Sequence, residues 1–121
     1  MDKNIKILIA EDNLIISLVV ENMVKELGYS LVGKTVTGEQ AIKIAKEEKP
    51  DILLMDIKLK GEIDGIDATA IIKESIKTKV IYLTGNSDQS NFDRLDETNF
   101  EDLIVKSFTI SDLSKSIKSI I

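Results

Sequence analysis

Five side chains in this sequence can do chemistry as a group, because each stands at or just past the end of a short apolar run. Glu11 and Asp12 follow Ile5–Ala10, and Asp56 closes the run that starts at Ile52. Thr84 and Gly85 end the run from Val80, and Lys106 follows Leu103–Val105. Taken singly, each has a bland reading. A lone acid at a strand end is an ordinary solvated loop residue, Glu11-Asp12 would favour the N-terminus of a following helix, and Lys106 would be a surface lysine. The agreement of four run ends carries the argument. If the runs are neighbouring parallel strands, their carboxyl ends open on one crevice. Three acids, a hydroxyl and an amine then converge.

Carboxylates that close repel one another, so at least one should resist ionisation unless a cation sits among them. A hard divalent ion with oxygen ligands, most simply Mg²⁺, relieves the repulsion. A carboxylate beside such an ion can attack phosphorus and form an aspartyl phosphate. Phosphoryl transfer needs in-line positioning and charge neutralisation more than acid–base groups. Asp56 is the expected nucleophile, alone at the end of the most apolar run. Adjacent Glu11 and Asp12 suit the metal. Lys106 would neutralise further phosphoryl oxygens, and the Thr84 hydroxyl and backbone N–H groups near Gly85 would donate to the rest.

The elements that must position these groups are legible as alternation. Strands are expected at Ile5–Ala10, Ser30–Val36, Ile52–Asp56, Val80–Thr84 and Leu103–Val105. Between them, Ile16, Val20, Met23, Val24 and Leu27 recur at helical spacing over Asn13–Leu27, with Gly28 as the stop. Thr37-Gly38-Glu39-Gln40 has the capping-box form and opens a helix through Glu48, ended by Lys49-Pro50. Ile66–Ser75 is helical after the turn and acids of Asp64, Gly65 and Asp67. Phe92–Leu95 is a short polar helix, and Ile110–Ile121 is a closing helix with Leu113, Ile117 and Ile120 on one face. Five strand-then-helix units predict an α/β fold, a parallel sheet covered on both faces. The 121 residues make one domain, 1–121, with no second domain expected.

Composition excludes much else. There is no cysteine and no histidine, which removes disulfides, thiolate or imidazole metal sites and a histidine base. The net charge of −5 and a single arginine, Arg94, speak against a nucleic-acid face, and two tyrosines and three phenylalanines are too few for base stacking. No apolar stretch nears the ~20 residues that span a bilayer. Met1-Asp2-Lys3-Asn4 lacks the pattern of a secretory leader, so a cytoplasmic protein is expected. No Gly-x-x-x-x-Gly-Lys loop is present, and two acids in the first loop would repel a dinucleotide phosphate.

The stretches Ile7-Leu8-Ile9-Ala10-Glu11-Asp12, Asp51-Ile52-Leu53-Leu54-Met55-Asp56-Ile57, Asp64-Gly65, Tyr82-Leu83-Thr84-Gly85 and Val105-Lys106-Ser107-Phe108 resemble, in order and spacing, the receiver domain of two-component response regulators. The resemblance implies a doubly wound, flavodoxin-like (βα)5 sandwich with strand order 2-1-3-4-5. It implies that Asp56 takes a phosphoryl group from the phosphohistidine of a sensor histidine kinase. Glu11, Asp12 and Asp56, with the backbone carbonyl of Lys58, would hold Mg²⁺. Thr84 would be the switch hydroxyl and Lys106 the counter-charge. It also allows a weak homodimer.

Three departures from that pattern set further expectations. Leu103 stands where the family has an aromatic, so the outgoing signal should use Thr84, the loop Gly85–Ser90 and the helix near Phe92. Ser107 replaces a proline, so the Lys106–Ser107 bond should be trans, which would let the ammonium rest farther from Asp56. The loop Lys58–Gly65 is longer, more basic and proline-free, a form similar to receivers that accompany sensor kinases rather than transcription factors. The rival reading is an Mg²⁺-dependent phosphatase with an aspartyl-phosphate intermediate, against which Lys58 stands where its general acid belongs. A degenerate, partner-binding receiver is opposed by the intact site residues.

Overall fold

The computed structural model describes residues 4–85 and 92–121, of Phe92 the backbone only. The first three residues, and with them the start of the segment examined for a leader, lie outside the described residues, as does most of the loop Gly85–Ser90. The chain alternates β1 (Lys6–Ala10), α1 (Leu14–Glu26), β2 (Ser30–Thr35), α2 (Gly38–Glu48), β3 (Ile52–Asp56), α3 (Gly65–Ser75), β4 (Lys79–Thr84), α4 (Phe92–Asp96), β5 (Asp102–Val105) and α5 (Ile110–Ile120). The strands form one parallel sheet in the order β2-β1-β3-β4-β5. Fold class and strand order are those the resemblance implies.

Period-two alternation splits the core cleanly. Leu8, Ala10, Leu53, Met55, Val80 and Tyr82 face one side and pack with Ala41 and Ala45 of α2, Ala68 and Ile72 of α3 and Leu95 of α4. Ile7, Ile9, Ile52, Leu54, Ile81 and Leu83 face the other side, against Val20 and Val24 of α1 and Leu113 and Ile117 of α5. Each fully buried aliphatic side chain stabilises the fold by roughly 1.5–3 kcal/mol. β3, central and buried along its whole length, carries Asp56 at its carboxyl end. Outside these stripes α1 leaves Leu14 and Ile15 more than two-thirds exposed.

The caps refine the sequence boundaries. Asn13 is the N-cap of α1, its Oδ1 accepting from Ile15 and Ile16 N–H at 3.0 and 3.1 Å. Gly28 follows with φ +90, the left-handed stop. At Thr37 the expected box is only half formed. Thr37 Oγ1 accepts from Gln40 N–H at 3.1 Å, but the Gln40 side chain reaches past it to Val36 N–H at 3.0 Å. The closed reciprocal box lies instead at Thr109 and Asp112, opening α5.

Candidate functional site

At the carboxyl edge of the sheet the register brings the predicted groups together. Asp56 lies opposite Leu83, one residue before Thr84, and Lys106 N–H donates to the Thr84 carbonyl at 2.7 Å, carrying β5 level with the end of β4. Glu11 N–H likewise donates to Thr35 O at 2.9 Å. One carboxylate oxygen each of Glu11, Asp12 and Asp56 lies within 4.8 Å of the others. Glu11 and Asp56 are buried and Asp12 is half-buried. A shallow cleft of about 300 Å³ opens over them, lined by Asp12, Asn13, Ile16, Asp56, Lys58, Gly85 and Lys106.

Lys106 is the internal cation of this cluster. Its Nζ sits 3.0 Å from Glu11 Oε1 and 3.1 Å from Asp56 Oδ1. Burial works against its charge, but the two carboxylates outweigh that and hold its pKa above the ordinary lysine value. Burial first, and the Glu11 carboxylate second, push the Asp56 carboxyl up to about 7 against the pull of Lys106. The predicted repulsion is therefore present, and one ammonium does not cancel it. Asp56 Oδ1 also accepts from Lys58 N–H at 3.3 Å, while Asp56 Oδ2 is buried and accepts no hydrogen bond. Three oxygen donors of like charge with a buried, unpartnered lone pair suit a hard divalent cation. The Thr84 hydroxyl is nearly buried and donates to the Gly85 carbonyl at 3.0 Å.

The Lys106–Ser107 bond is trans, as expected, but the expected extra distance of the ammonium is absent. The bend is made by Ser107 itself, which takes φ +82. Left-handed backbone costs a residue with a Cβ roughly 1–2 kcal/mol, tolerated here because β5 pairing ends at Lys106 and Phe108 must turn into the core against α5. Ser107→Gly is therefore expected to raise the unfolding free energy by about 0.5–1 kcal/mol, measured by urea denaturation.

The long loop after Asp56 is tied down without proline. Lys60 makes a strand-like bridge with Thr37, Leu59 is buried, and Glu62 N–H donates to Glu39 Oε2 at 3.3 Å. Two site features escaped sequence reasoning. Asn13 lines the cleft, and an asparagine before an apolar-periodic run was the available signal. Gly65, read as a turn residue and as part of the matching Asp64-Gly65 stretch but given no role in the site, lies against the end of β3, where an added Cβ would come 1.9 Å from Asp56 O. No local pattern announces that approach.

A family model described as the response regulator receiver domain matches residues 7–118. The transcriptional regulatory protein PdtaR of Mycobacterium tuberculosis is 34% identical over 113 residues, covering 93% of this chain and 55% of its own length. This chain thus spans about half of that relative. The signal receiver domain of a modulated diguanylate cyclase from Desulfovibrio desulfuricans superposes with a TM-score of 0.89 at 29% identity, covering 94% of this chain and 90% of that one. The receiver domain of a sensor histidine kinase from Pseudomonas aeruginosa PAO1, solved with magnesium coordinated in its active site cleft, superposes at 0.82 and 30% identity, covering 93% of each chain. Regulator and kinase receivers both appear among these matches. Among the described residues no helix is long and apolar enough to cross a membrane.

Proposed function

The chain belongs to the response regulator receiver domain family, and on that premise we propose that residues 1–121 form one phosphoacceptor domain, loaded on Asp56 by the phosphohistidine of a sensor kinase in the cytoplasm. The observation that carries this reading is the buried Asp56 carboxylate, with Lys106 at 3.1 Å and Glu11 and Asp12 beside it. An oxygen of Asp56 attacks phosphorus, a P–O bond forms, and the P–N bond to the donor imidazole breaks. Lys106 holds Asp56 and the incoming oxygens by charge, and Glu11 holds Lys106. Glu11, Asp12, Asp56 and the Lys58 carbonyl would hold Mg²⁺. When bound, the ion neutralises phosphoryl oxygens and favours their in-line placement. Thr84 is the hydroxyl that turns from the Gly85 carbonyl to the phosphoryl group, so that the sheet edge registers the new charge. Turnover of other substrates is not part of this function, since Lys58 stands where a phosphatase would place its acid.

Incubation with a small acyl phosphate, followed by intact mass, tests the proposal. The mass should rise by one phosphoryl group with Mg²⁺ and remain unchanged without it. Uptake independent of the ion, or none at all, would contradict it.

Lys58 should govern how long the phosphoryl group lasts. Its exposed side chain lies on the cleft rim, two residues beyond Asp56. There a long cation crowds an attacking water and attracts phosphoryl oxygens. Lys58→Ala is expected to shorten the phosphoryl lifetime roughly two- to fivefold, with Mg²⁺ affinity nearly unaltered because only the backbone meets the metal. A lifetime course by intact mass checks this.

A further inference from the structure

Helix α4 has five residues and a polar sequence, so its position must come from side-chain anchors. Leu95 is fully buried, and Thr98 just beyond the helix takes a hydrogen bond from the buried Tyr82 hydroxyl at 2.9 Å while donating to the Leu95 carbonyl at 2.6 Å. The third anchor is Arg94, the one arginine of the sequence. Its guanidinium forks onto Asp64, Nη1 to Oδ2 at 2.9 Å and Nη2 to Oδ1 at 3.1 Å, and Nη2 also reaches Asp67 Oδ1 at 2.9 Å. Planar, two-pronged pairing of this kind is specific to arginine.

What the fork grips is the start of α3. Asp64 is the N-cap of that helix, its Oδ1 accepting from Asp67 N–H at 2.9 Å. The next residue, Gly65, donates its N–H to Ile57 O at 2.8 Å and leaves no room for even a methyl group over the Asp56 carbonyl. There is no slack between Asp64 and Asp56. A small displacement of the α3 start is felt at the phosphoacceptor backbone, because close-packed contacts transmit strain.

We infer that Arg94 is a positioning residue for Asp56. By forking onto Asp64 and Asp67 from α4, it presses the start of α3 onto the Asp56 carbonyl and so sets where that carboxylate stands relative to Lys106 and the metal-holding acids. The inference rests on reading Asp56 as the phosphoacceptor. Coupling is reciprocal: a change at Asp56 must also load the fork, which gives α4 a direct mechanical tie to the site that bypasses Leu103.

The test uses three variants of the full chain. Arg94→Met removes the fork and keeps the stem, Arg94→Lys keeps charge without the fork, and Asp67→Asn takes the charge from one arm and leaves the α3 cap. Two readouts are taken: the initial rate of phosphoryl uptake from a small acyl phosphate at saturating Mg²⁺, and the ¹³C resonance of the Asp56 carboxyl in aspartate-labelled protein. Arg94→Met should slow uptake about three- to tenfold and move the Asp56 resonance, with Arg94→Lys and Asp67→Asn intermediate in both. Should Arg94→Met fail to fold, the other two variants decide. A lowered melting temperature with wild-type rate and an unmoved resonance would overturn the inference, leaving the fork a purely stabilising contact. If wild-type protein itself takes up no phosphoryl group, the phosphoacceptor reading fails, and the resonance still decides whether Arg94 positions Asp56.

Discussion

Asp56→Asn is expected to abolish phosphoryl uptake while making the protein more stable. The loss follows from removing the nucleophile, for which rate reductions of about a thousandfold or more are the norm. Gly65, Lys106 and the acids around it would still be in place, so no other carboxylate is brought to the same position. The gain in stability follows from electrostatics. Asp56 is pushed up to about 7 by burial and by Glu11. A carboxyl raised in this way favours the folded state when protonated, below about pH 4, and loses that contribution as pH rises through about 7. At pH 8 the buried charge therefore weakens the wild type, and the asparagine variant should be more stable by about 1–3 kcal/mol. The gap should close towards pH 4. It should also shrink on adding Mg²⁺, because only the wild type gains from binding the ion. Urea denaturation at pH 4, 6 and 8, with and without Mg²⁺, checks the sign. A wild type more stable than Asp56→Asn at pH 8 without metal would mean that Lys106 more than compensates for burial.

Gly65→Ala should be the most damaging single-methyl substitution near the site. The new Cβ would stand 1.9 Å from the Asp56 carbonyl oxygen and 3.0 Å from Met55 Cγ. The obstacle is backbone on the central buried strand, not the end of a flexible side chain. Either β3 or the start of α3 must move, and with it the Gly65 N–H bond to Ile57 O. Overpacking of this kind costs about 3 kcal/mol or more. The melting temperature should fall by roughly 10 °C or more, and phosphoryl uptake in the surviving folded fraction should drop because the clash is transmitted to Asp56. Thermal unfolding and an uptake assay below the transition measure both.

The strand-end residues were legible because alternation of short apolar runs with helical patterns fixes a parallel sheet, and such a sheet gathers its carboxyl ends. Glu11, Asp12, Asp56, Thr84 and Lys106 each stand where that logic places them. What local pattern could not supply is long-range geometry. The Thr37 box was misjudged because Gln40 is also within reach of the preceding N–H, on Val36. The Ser107 bend is a backbone solution that serine does not announce. Gly65 and Arg94 act across 9 and 30 positions of sequence, respectively, through contacts that only the folded chain creates.

The most direct test of the central claim is to locate the phosphoryl group. The protein is loaded from a small acyl phosphate with Mg²⁺, and the adduct is reduced with borohydride, which converts an aspartyl phosphate into homoserine. Tandem mass spectrometry of the digest then reads the position. Homoserine at position 56, absent when Mg²⁺ is withheld, is the predicted result. Homoserine at position 12, or a phosphoryl group retained on a serine or threonine with Asp56 intact, would contradict it.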